Sequence, residues 1–137
     1  MKKYKKIILI DLDGVLNKYD GKYSSEFIPD IKEGAKEFLE TLSKDFEVKI
    51  FTTRDKALTQ KWLVANKISK YDITNIKEPA YLLVDDRCVC FKGDYKKTLD
   101  LISNFSVYWK TTVWHWYFCR ICINPLHECL VQEFCQN

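Results

Sequence analysis

Two aspartates flank a single residue in Asp11-Leu12-Asp13, and Gly14-Val15 follows at once. Directly before them runs Ile7-Ile8-Leu9-Ile10, a short continuous apolar run with the pattern of a strand buried on both faces. Parallel sheets bind ligands in the crevice outside the carboxyl ends of their strands, so two carboxylates on the turn after such a strand can both aim into that crevice. Gly14 lets the backbone turn sharply and approach a ligand closely. The plainer reading is a strand ending in a polar turn, with Asp13-Gly14 as turn chemistry.

Two further segments repeat the arrangement. Thr52-Thr53-Arg54-Asp55 follows the apolar run Val48 to Phe51. A hydroxyl there can donate to a phosphate oxygen, and the N–H groups opening the next helix favour an anion. Thr53 or Asp55 would serve equally as a helix N-cap. Lys77-Glu78-Pro79-Ala80 then precedes Tyr81 to Val84, which ends in Asp85-Asp86-Arg87. Adjacent carboxylates repel unless a cation neutralises them, and carboxylate oxygens completed by a phosphate suit magnesium rather than zinc. A solvated Lys77 and a local Asp86–Arg87 ion pair are the ordinary alternatives.

The elements that must position these groups alternate. Strands are expected at Ile7 to Ile10, Val48 to Phe51 and Tyr81 to Val84, the last an interior strand. Helices are expected from Pro29-Asp30 through Leu42, from Asp55 to Asn66, and from Asp94 to Phe105. Their inward faces are Ile31, Ala35, Phe38, Leu39 and Leu42, then Leu58, Trp62 and Ala65, then Tyr95, Leu99 and Ile102. Strand–helix alternation requires crossover connections and a mainly parallel sheet covered on both faces.

With 137 residues, 47% hydrophobic and 30% charged, the chain suits one folded domain and excludes a disordered one. A net charge of +3 gives no argument for nucleic acid, though it is compatible with an anionic substrate. The basic start resembles a signal peptide only until Asp11 interrupts the apolar run, so the expectation is a cytoplasmic protein with no membrane partner. The six cysteines are then expected as thiols. A boundary falls after Lys110, because residues 111–137 contain no lysine and are crowded with aromatic residues and cysteines. That extension reads as added packing, an oligomer contact, a segment of different history from the body, or a metal site. Cys119, Cys122, His127 and Cys129 are the candidate zinc ligands, at a spacing that matches no common structural-zinc pattern.

The ordered set of carboxylate pair, hydroxyl, lysine and second carboxylate pair resembles the four motifs of the haloacid dehalogenase-like (HAD) superfamily. These are Asp-x-Asp-Gly-Val/Thr, a Thr or Ser after the second strand, a Lys and an acidic pair, and Lys77-Glu78-Pro79-Ala80 matches several small members. The likeness covers roughly the first hundred residues. Phosphoryl-aspartate receivers also use Asp, Thr and Lys, but do not place two aspartates around one residue before Gly-Val. The resemblance implies an α/β fold: a three-layer Rossmann-like sandwich with a mainly parallel central sheet over residues 1–110. It implies a phosphatase in which Asp11 attacks phosphorus and Asp13 serves as acid and then base. Thr52, or Thr53 in its place, and Lys77 would hold the phosphoryl oxygens. Mg²⁺ would sit among Asp11, the Asp13 carbonyl and Asp85, with Asp86 either a ligand or a partner of one.

Superfamily members often carry a cap domain, for which this chain has no room. Val15 to Ile28 suits only a flap turning at Asp20-Gly21. An uncapped site admits a large phosphorylated substrate, or a lid from a second copy in a homo-oligomer. Tyr19, Tyr23, Lys18 and Lys22 on the flap are candidate substrate contacts, with a solvated hairpin tip as the plainer reading for the lysines. Arg54 and Arg87 beside the site would bind a second anionic group or serve structural roles. Two rivals stand beside this reading: a phosphatase of nucleotides or nucleic-acid ends, and a non-catalytic binding protein whose tail recruits a partner or zinc.

Overall fold

The computed structural model describes residues 4–110. Its centre is β1 (Ile7–Asp11), flanked by β2 (Glu47–Phe51) and β4 (Leu82–Val84), with β3 (Asp72–Thr74) beyond β2. The order is β3-β2-β1-β4 and every pairing is parallel. Between these strands the chain forms α1 (Ala35–Asp45) and α2 (Lys56–Ala65), and α3 (Tyr95–Ser103) follows β4. This is the expected Rossmann-like α/β arrangement.

The central position of β1 explains its composition. Ile8, Leu9 and Ile10 are all buried, so no polar residue is tolerated until the strand ends. In β2 burial alternates, with Val48 and Ile50 inward. Lys49 lies between them and is satisfied by Glu78 at 2.7 Å and Glu47 at 3.6 Å, ion pairs that raise its pKa, the Glu78 hydrogen bond most. Ala35 and Leu39 of α1 and Trp62 and Leu63 of α2 complete the core with Leu12, Leu16 and Ile28. The α2 N-terminus is capped by Asp55, whose carboxylate accepts from the Leu58 N–H at 2.8 Å. Asp94 does the same for α3.

Four features depart from the sequence expectations. The helix expected from Pro29 starts instead at Ala35, after Gly34 at φ +80°. Residues 30–32 have spent their backbone groups elsewhere: Lys18 N–H donates to Asp30 O and Lys32 N–H to Leu16 O, both at 2.8 Å, closing the base of the flap. The strand β3 has no apolar run to mark it in the sequence, because Ile73 is its one apolar residue. The strand β4 lies at the sheet edge among the described residues, with Leu82 51% exposed. Finally, several residues expected to face inward are exposed: Phe38 of α1, Ala65 of α2, and Tyr95, Leu99 and Ile102 of α3.

The flap turns at Asp20-Gly21, where the Lys22 N–H donates to Asp20 at 3.1 Å, but it contains no strand beyond its closing bridge. No helix among the described residues is long and apolar enough to cross a membrane. Among the described residues, Cys88 and Cys90 are exposed free thiols. The candidate zinc ligands Cys119, Cys122, His127 and Cys129 lie outside the described residues.

Candidate active site

Parallel register brings the motif residues to one edge of the sheet. Ile10 pairs with Val84, so Asp11 and Asp85 emerge side by side as the next residue on each strand. Asp11 itself pairs with Phe51, placing Thr52 just beyond it. Thr52 is buried and tied by its N–H to Thr74 O at 3.0 Å, while its hydroxyl accepts from the Arg54 N–H at 3.2 Å. Thr53 is exposed.

Asp11, Asp85 and Asp86 each present a carboxylate oxygen, and these atoms lie within 4.8 Å of one another. Burial is the larger reason that the Asp11 carboxyl is pushed up from 3.8 to about 7. Repulsion from Asp85, Asp86 and Asp13 adds to it, and a hydrogen bond from the Leu12 N–H opposes it. Three half-buried oxygen donors so close, one of them reluctant to ionise, fit a hard divalent cation.

The turn after β1 is shaped by Gly14, at φ +84°. A Cβ built there would lie 2.4 Å from Asp86 Oδ2 and 3.1 Å from Trp109 Nε1. Glycine is therefore needed twice, for the left-handed backbone and for the space that Asp86 occupies.

Asp13 is held at both oxygens. Arg54 Nε donates to Oδ2 at 2.7 Å and Asn17 Nδ2 to Oδ1 at 2.8 Å. Arg54 also donates from Nη1 to the flap carbonyls of Ser24 and Phe27, at 2.7 and 3.0 Å. Its Nη2 is buried without a partner among the described residues. The Arg87 backbone N–H donates to Asp85 at 2.8 Å, and its guanidinium lies 5.6 Å from the rings of both Tyr19 and Trp109. No Asp86–Arg87 ion pair forms among the described residues. Lys77 is exposed in the loop between β3 and β4, and among the described residues it makes no hydrogen bond or ion pair to the site carboxylates.

Three contributors escaped sequence reasoning. Asn17 looks like a flap residue, yet it is fully buried, and its Oδ1 accepts from the Gly14 and Tyr19 N–H groups. Trp109 donates its indole N–H to Asp86 Oδ2 at 2.5 Å and meets Tyr19 edge-on at 5.5 Å. Tyr108 donates to the Gly14 carbonyl and receives a hydrogen bond from Lys32. Local spacing carries no signal for the last two, because their partners are distant in the chain.

A conserved protein of Bacteroides thetaiotaomicron has a solved structure that aligns with 73% of this chain and 91% of its own, at 18% identity and a TM-score of 0.48. That likeness is too slight to add to the argument. No curated protein matches the chain. The family description "NLI interacting factor-like phosphatase" matches residues 6–113, which include every residue of the site. The acidic cluster at the sheet edge thus lies in a chain that belongs to the NLI interacting factor-like phosphatases, a HAD-like family.

Proposed function

We propose that the chain hydrolyses phosphomonoesters with Mg²⁺, through an aspartyl-phosphate on Asp11. The observation that carries the reading is the convergence of Asp11, Asp85 and Asp86 oxygens within 4.8 Å, beside an Asp13 whose two oxygens are both oriented. The Asp11 carboxylate attacks phosphorus opposite the ester oxygen, and the P–O ester bond breaks as the Asp11–phosphorus bond forms. Asp13 gives its proton to the leaving oxygen, then takes a proton from the water that attacks the phosphoryl group and releases Asp11. The Thr52 hydroxyl and the Lys77 ammonium donate to the phosphoryl oxygens.

Asp11, Asp85 and Asp86, with the carbonyl of Asp13, would hold the ion. Mg²⁺ supplies positive charge that offsets the carboxylates and the phosphoryl oxygens when bound. Bound there, it would also favour the ionised form of Asp11, which burial first and then the neighbouring carboxylates disfavour.

Turnover of p-nitrophenyl phosphate tests this reading. Hydrolysis should require Mg²⁺ and vanish in Asp11→Asn. Activity unchanged in that variant, or no hydrolysis across a broad phosphate panel, would refute it. A second reading, phosphates that carry a nucleobase, is favoured by the Tyr19–Trp109–Arg87 group at the rim, because aromatic and guanidinium faces stack on bases. It predicts a lower KM for nucleoside phosphates than for sugar phosphates, and loss of that difference in Tyr19→Ala.

A further inference from the structure

Asp13 sits in a clamp more elaborate than a surface carboxylate requires. The Arg54 side chain is 2% exposed and Asn17 is fully buried. Each is immobilised by its own set of bonds, Arg54 by the flap carbonyls of Ser24 and Phe27, and Asn17 by the N–H groups of Gly14 and Tyr19. Burying a guanidinium and a carboxamide costs stability unless their hydrogen bonds are made, and apolar residues of like volume would fill the space as well. Here Arg54 Nη2 even stays unpartnered among the described residues. A purely structural explanation therefore accounts poorly for this expense.

The clamp fixes the plane of one carboxylate. One donor reaches each oxygen, which leaves a lone pair on each for a proton in transit. The carboxylate cannot turn without breaking one of these two bonds, so the free lone pair of each oxygen keeps one direction.

We propose that Arg54 and Asn17 are positioning residues that hold Asp13 in register for the acid–base steps. The inference rests on the proposed phosphatase chemistry, in which Asp13 delivers a proton to the leaving oxygen. Orientation of that proton matters when the leaving group is a poor one, and hardly at all when it departs unaided as a stabilised anion.

The test compares kcat/KM for an alkyl phosphate and for 2,4-dinitrophenyl phosphate, since this parameter reports steps only through departure of the leaving group. In Arg54→Gln the alkyl phosphate should lose about 100-fold. The dinitrophenyl ester should lose less than about 3-fold on the same reasoning. Arg54→Lys, which keeps the charge but not the fork, should fall between. Adding Arg54→Gln to Asp13→Ala should cost nothing beyond Asp13→Ala alone, because residues acting through one group are not additive. If Arg54→Gln does not fold, Asn17→Ser carries the same comparison. Equal losses on both substrates, or additive losses in the double variant, would overturn the positioning role while leaving the phosphatase reading intact. A wild-type protein that turns over neither ester would overturn both.

Discussion

Replacing Asp11 by Asn should stabilise the protein when divalent ions are chelated. In the folded chain its carboxyl is held at about 7 against an ordinary 3.8, by burial and then by Asp85, Asp86 and Asp13. The sign follows from proton binding. Below pH 3.8 both the folded and unfolded states carry the proton, so Asp11 costs nothing. As pH rises toward 7 the folded state retains a proton that the unfolded state has lost, and stability falls with pH throughout that window. Above it the penalty is complete. The unscreened difference is about 4 kcal/mol, and solvent access to a half-buried carboxylate leaves on the order of 1–2 kcal/mol. Asn cannot ionise and escapes the penalty. Thermal unfolding with EDTA should therefore place Asp11→Asn roughly 3–8 °C above wild type near pH 8, with the gap closing toward about pH 4. Saturating Mg²⁺ should reverse the order, because the variant has lost a ligand. A variant that is less stable than wild type at high pH, or a gap that ignores pH, would refute the electrostatic reasoning.

Other perturbations test the surrounding structure. Gly14→Ala forces a Cβ to within 2.4 Å of Asp86 Oδ2 at φ +84°. It should cost about 1–3 kcal/mol in urea unfolding and abolish most turnover. Trp109→Phe keeps the ring beside Tyr19 but removes the N–H that fixes Asp86. Half-maximal activity should then need about 10-fold more Mg²⁺. Leu39→Ala, fully buried in α1, should lose about 2–5 kcal/mol of stability while the kcat of the folded enzyme is unchanged.

What could be read in the sequence is what short-range pattern determines. An apolar run interrupted by Asp11-Leu12-Asp13-Gly14 announces a central strand and the turn after it, because a strand covered on both faces excludes polar residues until it ends. Asp55 and Asp94 mark helix starts through their own carboxylates. Depth in the sheet is not encoded in this way: Leu82-Leu83-Val84 reads the same at an edge as in the interior. Pro29-Asp30 has the look of a helix start, but whether its backbone groups open a helix or close a flap depends on Leu16 and Lys18. Arg54 shows the same limit at the site. Outward, it would meet a substrate anion; inward, it holds Asp13, and the residues around it in the sequence suit either arrangement. The clamp on Asp13 and the contact of Trp109 with Asp86 exist only once distant segments have met.

The central claim is that phosphate passes through Asp11, and it is tested most directly by trapping. Enzyme mixed with a radiolabelled phosphomonoester and Mg²⁺, then quenched in acid during turnover, should carry label on the peptide containing Asp11. The label should be discharged by hydroxylamine and absent in Asp11→Asn. Efficient hydrolysis by an enzyme that never acquires label, or label on any other residue, would contradict the account.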